Sequence, residues 1–157
     1  CPAIRSAASM RSTPKRGMCD PSVAVAALGA DPEYFLKDFK TFGFIFESLV
    51  MRDLKAYSMA LGGKLSYYRD RYGLEADAVL HLKDGRYALI EIKLGSKEIE
   101  EGAAHLLEIR QLIREYNKTE KQCPLAEPDL LMVITGGELG YTNKDGVHIV
   151  PISALKP

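Results

Sequence analysis

Two neighbouring segments constrain the fold more than any other feature, because their alternation and the turn between them fix which side chains share a sheet face. Over residues 75–83, Ala76, Ala78, Leu80 and Leu82 fall on one side and Glu75, Asp77, Val79, His81 and Lys83 on the other. Over residues 86–94, Ala88, Ile90, Ile92 and Leu94 oppose Tyr87, Leu89, Glu91 and Lys93. Asp84-Gly85 between the two runs is a hairpin signal. A two-residue loop would pair Ala78 with Glu91 and set the apolar faces against each other. A three-residue loop, Lys83-Asp84-Gly85 with Gly85 left-handed, pairs Leu82 with Arg86 and sets Asp77 across from Glu91. Only an odd loop or a bulge satisfies both patterns, so the three-residue loop is predicted.

Around this hairpin the pattern predicts helices and further strands. Asp20-Pro21-Ser22 starts a short helix over 22–28, stopped by Gly29. After Asp31-Pro32, one long helix is expected over about 33–61, closed by Gly62-Gly63. On its wheel Glu47 lies on or beside the buried face, with Val50 and Leu54 on one side and Met51 and Phe44 on the other. A strand is expected over 64–70. A second helix is expected over about 98–117, with Ile99, Ala103, Leu106, Ile109, Ile113 and Tyr116 inward. The apolar run 129–135 reads as a strand covered on both faces. A last hairpin around Lys144-Asp145-Gly146 leads into residues 147–152. The α-β-β-β-α-β order predicts an α/β fold with a mixed central sheet flanked by helices.

Composition sets limits on function. With 157 residues, 46% of them hydrophobic and 27% charged, the chain has the make-up of one folded domain. Lys plus Arg and Asp plus Glu both number 21, so whole-chain charge gives no argument for nucleic-acid or membrane binding. No stretch approaches the ~18 apolar residues of a membrane span, so no membrane partner is expected. Cys1, Cys19 and Cys123 form neither a metal-ligand pair nor a disulfide framework, which makes the cytoplasm the expected compartment. Residues 1–19 carry Arg5, Arg11, Lys15 and Arg16 and no acid. They read as an extended arm, either a solvated linker to an upstream domain or a phosphate-contacting strip, with residues 20–157 as the folded domain.

The predicted hairpin gathers chemistry on one face. Asp77 and Glu91 would stand with Cβ atoms ~5 Å apart, with Lys93 two positions further along the same side. Two such carboxylates share a proton or a cation. Their hard oxygens suit Mg²⁺ or Mn²⁺. A lysine alongside orients or deprotonates water and stabilises charge on a phosphate. Glu47 adds an acid if the long helix packs on this face; the equal alternative is a helix-edge Glu that snorkels out or pairs with an arginine. The plain alternative is a surface hairpin with ordinary cross-strand ion pairs. Arg69 and Arg71, near Tyr67, Tyr68 and Tyr72, offer nucleic-acid contacts, against a default of packing and solvated loop charge. Gly62-Gly63-Lys64 lacks the earlier glycine and the following Ser or Thr of a nucleotide-binding loop, so ATP is not expected to bind these residues.

The order Glu47, Asp77, Glu91-Ile92-Lys93 resembles the PD-(D/E)-x-K superfamily, the restriction-endonuclease-like fold of Mg²⁺-dependent nucleases. Pro14-Lys15-Arg16, Asp20-Pro21-Ser22, Gly43-Phe44-Ile45-Phe46-Glu47, Tyr68-Arg69-Asp70, Glu75-Ala76-Asp77, Ile90-Glu91-Ile92-Lys93-Leu94-Gly95 and Asp145-Gly146-Val147 are similar to one branch of it. That branch is a domain of unknown function that follows AAA-type ATPase modules in many bacterial and archaeal proteins. The resemblance implies metal ligation by Asp77 and Glu91, a catalytic Lys93, an auxiliary acid in Glu47, and an ATPase module upstream. Ala76 stands where the signature has proline, and Gln111 and Tyr116 do not make the Gln-x-x-x-Tyr of some exonuclease branches. The expected function is phosphodiester hydrolysis of DNA or RNA, with Lys15, Arg16, Arg69 and Arg71 contacting nucleic acid. The rival is a non-catalytic docking module of the same fold.

Overall fold

A computed structural model of the chain describes residues 17–156 apart from Arg71 and Lys121. Lys15, Arg16 and Arg71, together with most of the basic arm, lie outside the described residues.

Local signals account for the helix starts. The Asp20 carboxylate accepts from the Ser22 N–H at 2.9 Å and opens α1 (Pro21–Leu28), which Gly29 closes. Asp31 does the same for α2 (Pro32–Lys37), accepting from Tyr34 N–H at 2.9 Å. The single helix expected over 33–61 is broken at Asp38. That residue leaves the helical region at φ −118°, ψ 75° and caps α3 (Phe39–Ala60), accepting from Thr41 N–H at 3.0 Å and its hydroxyl at 2.7 Å. An aspartate in mid-helix has this cap as its competitor, and here the cap wins. On α3, Phe46, Val50 and Leu54 are buried, whereas Phe44, expected beside the buried face, is exposed.

β1 (Lys64–Arg69), β2 (Glu75–His81), β3 (Tyr87–Lys93), β4 (Leu130–Thr135), β5 (Tyr141–Thr142) and β6 (His148–Pro151) form one six-stranded sheet in the order β1-β2-β3-β4-β6-β5. The first three strands are antiparallel, β3, β4 and β6 run parallel, and β5 returns antiparallel to β6. A parallel neighbour requires a crossover, and α4 (Ile99–Thr119) supplies it between β3 and β4. The predicted α/β architecture with a mixed sheet flanked by helices is therefore present.

The helices cover opposite faces. Phe46, Val50 and Leu54 of α3 pack on Ala78, Ala88, Ile90, Ile92 and Ile134. Ala103, Leu106, Ile109 and Ile113 of α4 pack on Val79, Leu89, Leu131, Val133, Val147 and Ile149. Tyr116, expected inward, is 44% exposed near the end of α4. Alternation along β3 and β4 feeds both layers, as expected of strands covered on both sides. Cys19 is free and exposed, whereas Cys123 is disulfide-bonded, against the expectation of thiols throughout. No described helix is long and apolar enough to cross a membrane.

The junction from α3 to β1 is tight. A Cβ added at Gly63 would stand 2.7 Å from the carbonyl oxygen of His81 in β2. Backbone cannot yield as a flexible side chain does, so Gly63→Ala is expected to destabilise by about 1–3 kcal/mol. A thermal denaturation midpoint equal to that of the wild type would refute this.

Candidate functional site

The hairpin register is the one the turn chemistry predicted. Leu82 N–H donates to Arg86 C=O at 2.8 Å, and Gly85 has φ 92°, a left-handed conformation that suits glycine. Pairing from His81–Tyr87 to Ala78–Ile90 continues that register and carries Asp77 to the level of Glu91.

Asp77 itself departs from simple alternation. β1 and β2 pair as Ser66–Val79 and then Tyr68–Ala76, so Asp77 and Ala78 together oppose Tyr67 in a β-bulge. Ala76 consequently joins Val79 in the α4 layer, while Ala78 joins the α3 layer. The uniform face expected for Ala76, Ala78, Leu80 and Leu82 does not hold. The Asp77 carboxylate, 8% exposed, reaches β3 and accepts from Ile92 N–H at 2.9 Å.

Glu91 sits on the α4 side of β3 and is 1% exposed. Gly102 of α4 passes directly over it: an added Cβ would stand 3.3 Å from Glu91 Cβ and 3.2 Å from Lys93 Cγ and Cε. The Lys93 ammonium donates to Glu91 Oε2 at 3.0 Å. Glu91 Oε1 is buried and has no hydrogen-bond partner among the described residues. Burial first, then the neighbouring Asp77 charge, push the Glu91 carboxyl up to about 7 despite Lys93. For Lys93, burial disfavours the charge, but the hydrogen bond to Glu91 and the charges of Glu91, Asp77 and Glu101 outweigh it and hold the ammonium above its ordinary value.

Residue by residue, the structure brings Asp77, Glu91 and Lys93 together. Glu47 is half-buried on α3, on the opposite side of the sheet from α4. Its neighbour Phe46 lies 3.6 Å from where a Gly136 Cβ would be, just past β4, so Glu47 is carried toward the sheet end at which Lys93 lies. Among the described residues no three His, Cys, Asp or Glu side chains converge into a group able to hold a metal, so Glu47 does not complete a three-acid cluster. Arg69 is largely exposed and pairs with Glu75 at 3.8 Å. His81 sits at the hairpin-turn end of β2 against Ser66 Oγ, at 3.0 Å, away from the acids.

His105 joins the site with no motif around it to announce it. From α4 its Nδ1 approaches Glu91 Oε2 at 3.9 Å, and its Nε2 approaches Glu101 at 4.0 Å. Its position one residue before the inward Leu106 was a usable signal.

Fold and site together define an α/β domain with a buried acid pair and a lysine at the end of its central strands. The chain belongs to the family described as Domain of unknown function (DUF4143), whose model matches residues 42–155. No match emerges among curated proteins or solved structures.

Proposed function

We propose that this domain is a metal-dependent phosphodiesterase of the PD-(D/E)-x-K type, hydrolysing DNA or RNA with Mg²⁺ or Mn²⁺. The observation that carries the reading is the buried, unpartnered Oε1 of Glu91 beside Asp77 and Lys93. An acceptor left without a donor in the interior is costly. A hard divalent cation held by one or two carboxylates, with waters and phosphate oxygens completing its shell, relieves that cost. Asp77 and Glu91 fit as its ligands, without Glu47. When bound, such an ion supplies Lewis acidity and makes water a better nucleophile. Lys93 orients the attacking water and offsets charge developing on the phosphate. Its ammonium is already fixed by Glu91, so little reorganisation is needed.

The test is titration with Mn²⁺ and Mg²⁺, followed by incubation with single- and double-stranded DNA and RNA. Wild-type protein is expected to bind the ion and cleave, and Asp77→Asn to weaken ion binding at least tenfold, within the range seen for loss of a supporting group. Indifference of the wild type to both metals would overturn the reading. That outcome would favour a docking module carried by an AAA-type ATPase chain in the cytoplasm. The observation on its side is the set of exposed apolar residues on α2, α3 and the turn after it: Leu36, Phe39, Phe44, Met59 and Leu61.

A further inference from the structure

We propose that the cleft between the β1–β2 turn and α4 receives one unstacked nucleotide, which makes single-stranded nucleic acid the substrate class of the neighbouring site. This rests on the phosphodiesterase reading. The cleft holds about 440 Å³, a volume suited to one small-molecule-sized group. His105 lines it and also lies 3.9 Å from Glu91 Oε2, so the cleft opens beside the acid pair.

Its lining matches a nucleobase better than a phosphate. Tyr72, 81% exposed, brings an aromatic ring, and Leu74 and Leu112 bring apolar surface. Every base has a π-face to set against such groups. Asp70 Oδ1 is occupied by the turn itself, accepting from Tyr72 N–H at 2.8 Å and Leu74 N–H at 2.9 Å. Glu108 on α4 offers a carboxylate to base N–H donors, two of which guanine presents side by side. Asp70 and Glu108, the acids among the described lining residues, repel a sugar-phosphate chain, so the backbone runs outside the cleft toward Lys93. In a duplex the base faces are stacked and the edges paired, and entry carries an unstacking cost. A single strand carries far less of it.

Fluorescence anisotropy of the full chain with a labelled single strand and its duplex, in chelator without divalent metal, tests this. Single-strand binding at least tenfold tighter than duplex binding is expected. Tyr72→Ala is expected to weaken single-strand binding at least tenfold while leaving Mn²⁺ affinity unchanged, and Tyr72→Phe to restore it. Equal or tighter duplex binding, no detectable single-strand binding, or an indifferent Tyr72→Ala would overturn the subsite. The two readings fail separately. Mn²⁺ binding through Asp77 with a duplex preference sinks the subsite alone. A Tyr72-dependent single-strand preference in a protein that ignores metals supports the subsite and sinks the phosphodiesterase.

Discussion

Replacing Lys93 by Ala is expected to lower cleavage by about 10²–10⁴-fold, the span of a positioned proton-transfer or charge-stabilising group. The same change removes the cation 3.0 Å from Glu91 Oε2. A buried acid stripped of its partner is destabilising by about 3–5 kcal/mol if it stays ionised. Glu91 has an escape, because its carboxyl already stands at about 7 and takes a proton instead. Lys93→Ala is therefore expected to melt close to the wild type at pH 5 and well below it at pH 8. Cleavage by the variant at the wild-type rate would locate the activity elsewhere. Equal melting differences at both pH values would mean that Glu91 is not the group responding.

Glu91→Gln should act in the opposite sense on stability while weakening ion binding. The Glu91 carboxyl rises from an ordinary 4.5 to about 7 in the fold. Below the lower value both folded and unfolded states hold the proton. Between the two values only the folded state does, so stability falls as pH rises through this window and is level above it. The loss is on the order of 3 kcal/mol, a net figure in which the opposing pull of Lys93 is already included. Glutamine carries no such loss. Metal-free Glu91→Gln is expected to resist urea better than the wild type at pH 8, with the advantage gone at pH 5. Its Mn²⁺ affinity should fall at least tenfold. Superimposable urea curves at pH 5 and pH 8 for both proteins would contradict the burial argument. Such a gain in stability at the expense of binding is what a strained functional carboxylate produces.

Much of the framework was legible in the chain. Asp20 and Asp31, each before a proline, announced where helices start, though not that the second is the short α2, because a cap needs only its own neighbours. The hairpin register followed from two alternation patterns and a glycine with φ 92°, and it delivered Asp77 to the level of Glu91. The break at Asp38 was less legible, since its carboxylate serves equally as a polar helix residue and as a cap. The side taken by Phe44 and Tyr116 depended on where each helix leaves the sheet, which a wheel does not encode.

What residue order determined by itself is therefore local: helix starts, turn type, strand pairing across one short loop, and the spacing of Glu91 and Lys93. These are set within a few bonds or one hairpin. Tertiary packing decided the rest. The bulge at Asp77 arises from the unequal match between β2 and β1. The close passage of Gly102 brings α4 over Glu91, buries its carboxylate, strands Oε1, and introduces His105 from more than ten residues away. An acid's environment is a property of what is packed against it, and packing joins segments whose separation along the chain carries no record of the contact.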